Sequence, residues 1–325
     1  MKTIPRINAQ RDWLIATGED AVRFLSGMWT CDIKRASDFG AGATGRGYLL
    51  NTKGKLVSEA QFLVLENKSI LFSIPVGFGA AVQEFMEQRL VADAVELQLA
   101  KPFTDVWILP ELPEVFYSLF SVDQFKILDW KIPGAQDKVY SSLTKEGVLL
   151  VPKMQFSSSH FEIWVNGNLP RNFEDKIPLK FDDSVQIDKW AFGKIIPQFG
   201  IDLLPEDLVL EFPHGDAISF HKGCYIGQEV VARATFRGRL NRGFARMTFE
   251  RPPLKGFIYS SEQPDQPVGK ISSTHENQGL GLVRLSLLDS SFFSGTEKYL
   301  FQNNSPEQGS LNKITRVDLA HIQKE

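Results

Sequence analysis

Apolar and polar positions recur with enough regularity to divide the first hundred residues into elements. Val22, Leu25 and Met28 repeat at helical spacing after a strand end at Ile15, and Thr17 with Asp20 three residues later reads as a capping box for that helix. Tyr48-Leu49-Leu50 is followed by a turn at Thr52-Lys53-Gly54-Lys55 and a strand-like run from Leu56 to Leu65. Asn67-Lys68 makes another turn before Ile70 to Ile74. Phe78 to Leu90 has helical periodicity, and Ala94 to Leu99 alternates. Three strands, a helix and a further strand predict an α+β domain with an antiparallel sheet.

The middle of the chain is less regular. From about Pro110 to Pro152 short apolar runs mix with Pro and Gly, and Phe161 to Val165 then reads as a strand ending at the Asn166-Gly167 turn. Asp183 to Phe192 is read as helical, and Pro197 to Gly215 as a surface loop. After Arg242-Gly243 the pattern becomes short strands broken by turns, including Val268 to Ile271 and Leu280 to Leu285, which predicts a small closed β-domain.

Composition narrows the class. A chain of 325 residues is long for one domain. Its formal net charge of -3 gives no global positive field toward nucleic acid or anionic membrane, so any anion site must be local. Two cysteines, Cys31 and Cys224, argue against a disulfide scaffold and for a reducing compartment. No apolar run approaches the ~20 residues that span a bilayer, and MKTIPRINAQRDW lacks the apolar core of a signal peptide. We therefore expect a soluble, cytoplasmic protein (mitochondrial matrix if eukaryotic).

The segment with candidate chemistry is His221-Lys222-Gly223-Cys224-Tyr225-Ile226-Gly227-Gln228-Glu229. Two glycines flank a cysteine, which suits a tight turn and close approach to a ligand. The Lys222 charge two residues away and the turn's amides favour a thiolate there; a small buried loop cysteine is the competing reading. From Ala232 the chain alternates, with Arg233, Thr235, Arg237 and Arg239 on one face of an expected strand and Ala232, Ala234, Phe236 and Leu240 on the other. Six basic residues against one acidic residue between Lys222 and Arg246 point to an anionic ligand. A solvated strand face and an RNA-binding strip are the alternatives, the overall charge counting against the second.

The run K-G-C-Y-I-G-Q-E at Lys222 to Glu229, after Ile218-Ser219-Phe220 and before V-A-R and R-G, resembles the signature of the YgfZ family. The likeness extends to Phe24-Leu25-Ser26-Gly27, Thr30-Cys31-Asp32, the Lys53-Gly54-Lys55 turn and Val268 to Ser273, and is weak from about 105 to 180. It implies a fold similar to the glycine-cleavage T-protein: two intertwined α+β lobes with antiparallel sheets over residues 1–240, divided near 100–110, then a β-barrel at 241–325, around a central cavity. It also implies tetrahydrofolate as cofactor, and iron–sulfur client or assembly proteins as partners, with no membrane or nucleic acid.

The same resemblance makes Cys224 the key residue, with Lys222 and the adjoining glycines shaping its loop. Trp13 and Trp190 would line the folate site, where an indole offers a flat surface to a pterin or benzoyl ring; Trp29, Trp107, Trp130 and Trp164 are assigned to core packing. Tyr225, Gln228, Glu229, Arg233 and Arg237 join the expected folate set. Ile196-Pro197-Gln198 stands where the family carries a Glu-Ala-Gly-like run, so Gln198 offers an amide oxygen instead of a carboxylate. Two distant cysteines do not make a cluster or zinc site, and no resident metal is expected. Two other functions compete with an accessory role in iron–sulfur assembly or repair. One is a tetrahydrofolate-dependent aminomethyl transferase, which needs an acid near the transferred group. The other is an RNA- or protein-binding module using the Arg233–Arg246 basic face.

Overall fold

Strand β3 (Arg11–Thr17) shows why the sheet around it is covered on both sides. Trp13 and Ile15 point one way, Leu14 and Ala16 the other, and both sets are apolar. The computed structural model describes residues 2–5, 7–109, 140, 141, 143–145, 148–155, 158–165, 179–182, 187–236, 238, 240–288, 300–302 and 311–320. They divide into two units, 1–187 with 215–229, and 188–214 with 230–325.

In the first unit β3 lies in a six-stranded sheet with β4 (Ala43–Leu50), β5 (Leu56–Val64), β6 (Ile70–Pro75), β7 (Glu96–Ala100) and β9 (Tyr140–Ser141), in the order β7-β3-β6-β5-β4-β9. The pairings within it are antiparallel. One face carries Leu14, Ala16, Phe62, Val64, Ile70, Phe72 and Ile74, which pack against helices α1 (Ala21–Met28), α2 (Ile33–Phe39) and α3 (Gly79–Glu87). The other face carries Trp13, Leu63 and Leu71, which pack against Val106 and Trp164. These two come from β8 (Asp105–Leu109) and β12 (Ser158–Val165), in a second sheet of order β10-β11-β12-β8-β2. Its other strands are β2 (Ile7–Ala9), β10 (Leu143–Lys145) and β11 (Val148–Gln155). A fully buried Glu162 joins the sheets, accepting from the Arg11 guanidinium at 2.9 Å and the Trp164 indole N–H at 2.9 Å. β1 (Lys2–Pro5) pairs in parallel with β13 (Leu179–Asp182).

The second unit holds helix α4 (Ile187–Lys194, from its second residue) and a closed barrel. The barrel is β14 (Arg242–Phe249), β17 (Gln278–Arg284), β16 (Gly269–His275), β15 (Gly256–Ser260), β18 (Leu300–Gln302) and β19 (Asn312–Leu319), in that order. Met247, Phe249, Ile258, Ile271 and Val283 fill its core. The segment after α4 is anchored by two carboxylates. Asp202 accepts from the hydroxyls of Ser272 (2.5 Å) and Ser273 (2.6 Å) and from the Gln198 amide (3.1 Å). Glu211 takes a two-pronged bond from Arg242, at 3.0 and 2.6 Å.

The antiparallel sheets, sparse helices and closed barrel are those of the expected α+β, T-protein-like class. Two local expectations fail. Thr17 does not cap α1: it pairs with Glu96 at the end of β3, while Asp20 occupies the N-cap position without capping and accepts instead from the Ala94 amide. The arginine strand from Ala232 is a helix, α5 (Gln228–Phe236). A short run with apolar residues at alternate positions also fits a helix that buries only Val231, and the Thr235 hydroxyl closes on the Val231 carbonyl one turn back. Arg237 and Arg239 lie outside the described residues. Among the described residues no helix is long and apolar enough to cross a membrane.

Candidate functional site

The conspicuous segments of the sequence, scattered over two hundred residues, meet at one corner of the first unit. Helix α1 ends at Met28, and its end leaves carbonyls without an intrahelical partner. The Lys222 ammonium donates to three carbonyls there, those of Ser26 (2.7 Å), Trp29 (2.6 Å) and Cys31 (2.7 Å). A cation at a helix C-terminus also complements the partial negative charge of that end. The ammonium lies 5.1 Å from the centre of the Tyr225 ring.

Three further contacts tie the loop down on either side of the cysteine. The Ser219 amide donates to the Thr30 carbonyl at 2.9 Å and the Ile226 amide to the Gly27 carbonyl at 3.0 Å. Gly227, with φ of 83°, packs onto the turn at Asn51–Lys55, where a Cβ would stand 2.7 Å from the Asn51 carbonyl oxygen. That turn is itself held by the Asn51 side chain, which accepts from the amides of Lys53 and Lys55. Between these anchors Gly223 and Cys224 are exposed, and a Cβ on Gly223 would stand in open space.

Thr30 continues the corner inward. Its hydroxyl donates to the Ala217 carbonyl at 2.6 Å and accepts from the Tyr48 amide at 2.8 Å. Cys31 beside it is buried, so its thiol is pushed up to about 12 in spite of the nearby Lys222 charge. It packs where any Cβ on Gly47 would collide with its sulfur. The two cysteines thus have opposite environments, and only Cys224 is open to solvent.

A second feature escaped sequence reading. Register places Arg46, Gln61, Ser73 and Trp13 side by side across β4, β5, β6 and β3, on the face turned away from the helices. Gln61 and Ser73 are 4% and 3% exposed, yet Gln61 Oε1 and Ser73 Oγ have no hydrogen-bond partner among the described residues. Such groups in a protein interior call for a ligand or water. Arg46 lies 3.4 Å from the Glu59 carboxylate. Burial pulls its guanidinium down, but Tyr48, Glu59 and Asp216 more than offset this and keep it charged. The only signal of this row in the sequence is polar residues inside apolar strands, in Thr44-Gly45-Arg46 and Ser58-Glu59-Ala60-Gln61.

The other expected site residues distribute as follows. Trp13 is 4% exposed and packs against Phe103 and Trp164, at 4.9 and 4.8 Å between ring centres, so it forms an apolar end to the polar row. Trp190 is half-buried on α4 in the second unit. Tyr225 is buried, which raises its hydroxyl well above the usual value, and its oxygen has no partner among the described residues. Gln228 and Glu229 open α5, and Glu229 and Arg233 are exposed. Arg237 lies outside the described residues. Two arginines of the expected basic strip face carboxylates, Arg242 on Glu211 and Arg246 at 3.8 Å from Asp318. Among the described residues no three His, Cys, Asp or Glu side chains group as metal ligands.

Fold and site together define a T-protein-like chain with an exposed-thiol loop. The architecture matches the glycine cleavage system aminomethyltransferase T of Bartonella henselae with a TM-score of 0.69 over 99% of this chain and 87% of that one, at 12% identity. By sequence the chain is 24% identical to the tRNA-modifying protein YgfZ of Blochmanniella pennsylvanica over 273 residues, 82% of this chain and 77% of that protein. It is 26% identical to the human mitochondrial iron-sulfur cluster assembly factor IBA57 over 292 residues, covering 84% and 75%. No protein-family model matches it. By sequence the chain is thus similar to YgfZ proteins, and by fold to the glycine-cleavage T-protein.

Proposed function

We propose that this chain is a folate-binding accessory factor for assembly or repair of iron–sulfur clusters in client enzymes, with Cys224 as its working thiol. The observation that carries the proposal is a solvent-exposed cysteine on a loop fastened on both sides, at Ser219 and Lys222 before it and at Ile226 and Gly227 after it. A thiol kept outward at fixed backbone positions suits transient contact with a partner's sulfur or metal. Clusters are usually held by four thiolates, and this chain has one accessible cysteine, so any further ligands come from the client. The name of the human relative, an iron-sulfur cluster assembly factor, supports this reading. Two free cysteines fit a reducing compartment, and we place the protein in the cytoplasm.

The polar row supports the folate half of the proposal. Gln61 Oε1 and Ser73 Oγ, beside the Arg46 guanidinium, suit a flat heterocycle whose rim carries both donors and acceptors. Arg46, Gln61 and Ser73 would hold tetrahydrofolate there, with Trp13 closing one end; bound, it supplies a carrier for one-carbon groups. Tyr225, Gln228 and Glu229, in the same unit, complete the proposed set. The transferase alternative requires an available acid, and Glu59, a carboxylate neighbouring the row, is engaged with Arg46. The RNA-strip alternative requires free guanidinium groups, and Arg242 and Arg246 are matched to carboxylates.

The test is complementation of a deletion strain, scoring several iron–sulfur enzymes, alongside titration of the purified protein's tryptophan fluorescence with tetrahydrofolate. We expect Cys224→Ala to keep the wild-type urea midpoint and restore none of the enzymes, and Gln61→Ala to weaken the fluorescence response. Full restoration by Cys224→Ala refutes the thiol-centred role. A flat titration at millimolar ligand removes folate while leaving the thiol role standing.

A further inference from the structure

A lysine two residues from a working cysteine is ordinarily read as the cation that favours its thiolate. The structure gives Lys222 a different task. Its ammonium has three protons and meets three carbonyl oxygens within 2.6–2.7 Å, all of them from the junction between α1 and α2. Three short charge-assisted bonds converging on one nitrogen are a clamp. Its jaws are residues 26–31 on one side and the cysteine loop on the other, 191 to 196 positions apart in the chain.

We infer that Lys222 is a positioning residue: it fixes the cysteine loop to the α1–α2 junction and acts on Cys224 through backbone placement rather than through its charge. The functional side of this inference rests on Cys224 as the working thiol; the structural side does not. The junction carries its own reporter. Cys31 supplies one of the three clamped carbonyls and its thiol is buried, so its labelling requires local opening around it. Opening of the clamp can therefore be read on Cys31, separately from anything that happens at Cys224.

Arginine distinguishes clamp from charge. It keeps the positive charge but presents a planar fork of donors instead of a compact ammonium, and so does not converge on three carbonyls in this arrangement. The experiment is labelling of the full-length native protein with iodoacetamide across a pH series, each cysteine followed by peptide mass spectrometry, for wild type, Lys222→Met and Lys222→Arg. Aspartate 12 accepts from the amides of Gly77 and Gly79 at the start of α3, so Asp12→Ala serves as a destabilised control in the same unit away from the clamp. We expect both Lys222 variants to raise Cys31 labelling at least tenfold above that control at matched urea midpoint, with the pH profile of Cys224 labelling kept as in wild type. Unchanged Cys31 protection, or a Cys224 profile that shifts in Lys222→Met and is restored in Lys222→Arg, overturns the inference in favour of a charge effect. Should both variants fail to fold, Lys222→Gln, which retains two N–H donors, is measured instead. Failure of that variant also to fold would make Lys222 a general structural residue and overturn the assignment. A loss of client activation by Cys224→Ala bears on the proposed function alone and leaves these labelling outcomes untouched.

Discussion

The two glycines of the cysteine loop look equivalent in the sequence and are predicted to respond very differently to alanine. At Gly227 the backbone has φ of 83°, a left-handed conformation that costs a Cβ-bearing residue about 1–2 kcal/mol. The added Cβ would also stand 2.7 Å from the Asn51 carbonyl and 3.1 Å from the Gly54 Cα, both backbone atoms that cannot turn aside. Overpacking of that kind adds about 1–3 kcal/mol. Gly227→Ala should therefore cost about 2–5 kcal/mol. At Gly223 a Cβ meets nothing within 4 Å and the backbone is not left-handed, so Gly223→Ala should stay within about 0.5 kcal/mol of wild type. The assay is urea unfolding of both variants together with hydrogen exchange at the Ile226 and Ser219 amides, which bond to Gly27 and Thr30. Local loosening in Gly227→Ala should accelerate exchange at Ile226 first. Equal effects from the two substitutions, or a neutral Gly227→Ala, would refute the docking of this loop on the Asn51 turn.

Two further outcomes test other parts of the molecule. Lys68 is exposed with φ of 61° in the turn between β5 and β6, so Lys68→Gly should raise stability by several tenths to about 1 kcal/mol, seen as a higher urea midpoint; a lower midpoint contradicts it. Burial raises the Asp202 carboxyl above its ordinary value, against the opposing bonds from Ser272, Ser273 and Gln198. Its contribution to stability is thus fully present below the ordinary carboxylate value and is lost as pH rises through the raised one. Asp202→Asn should remove that loss, so the stability difference between variant and wild type should shrink as pH rises from about 4 toward 7; a gap that widens with pH refutes the sign.

Much of the local architecture was legible because period and burial agree. Strands β5, β6 and β7 and helix α3 fall close to where their alternation or helical spacing predicts, and turn residues at 52–55 and 67–68 separate them. Reading failed where a second requirement took over. Thr17 is a sound capping residue, yet strand pairing with Glu96 holds it extended. The run from Ala232 is too short for its period to decide between strand and helix, and the preceding Gly227 turn launches a helix. The division between units is also discontinuous, with 188–214 grouping with the barrel and 215–229 returning to the first unit, which no linker composition announces.

By itself the sequence determined most elements of the first hundred residues and the segment that carries the thiol, because each depends on neighbours within a few positions. Tertiary structure alone decided which cysteine is open, that Lys222 grips the end of α1, and that Arg46, Gln61 and Ser73 form one row. Each of those facts joins residues on different strands or loops. Strand register and loop docking set such distances, and neither is written in the spacing of residues along the chain.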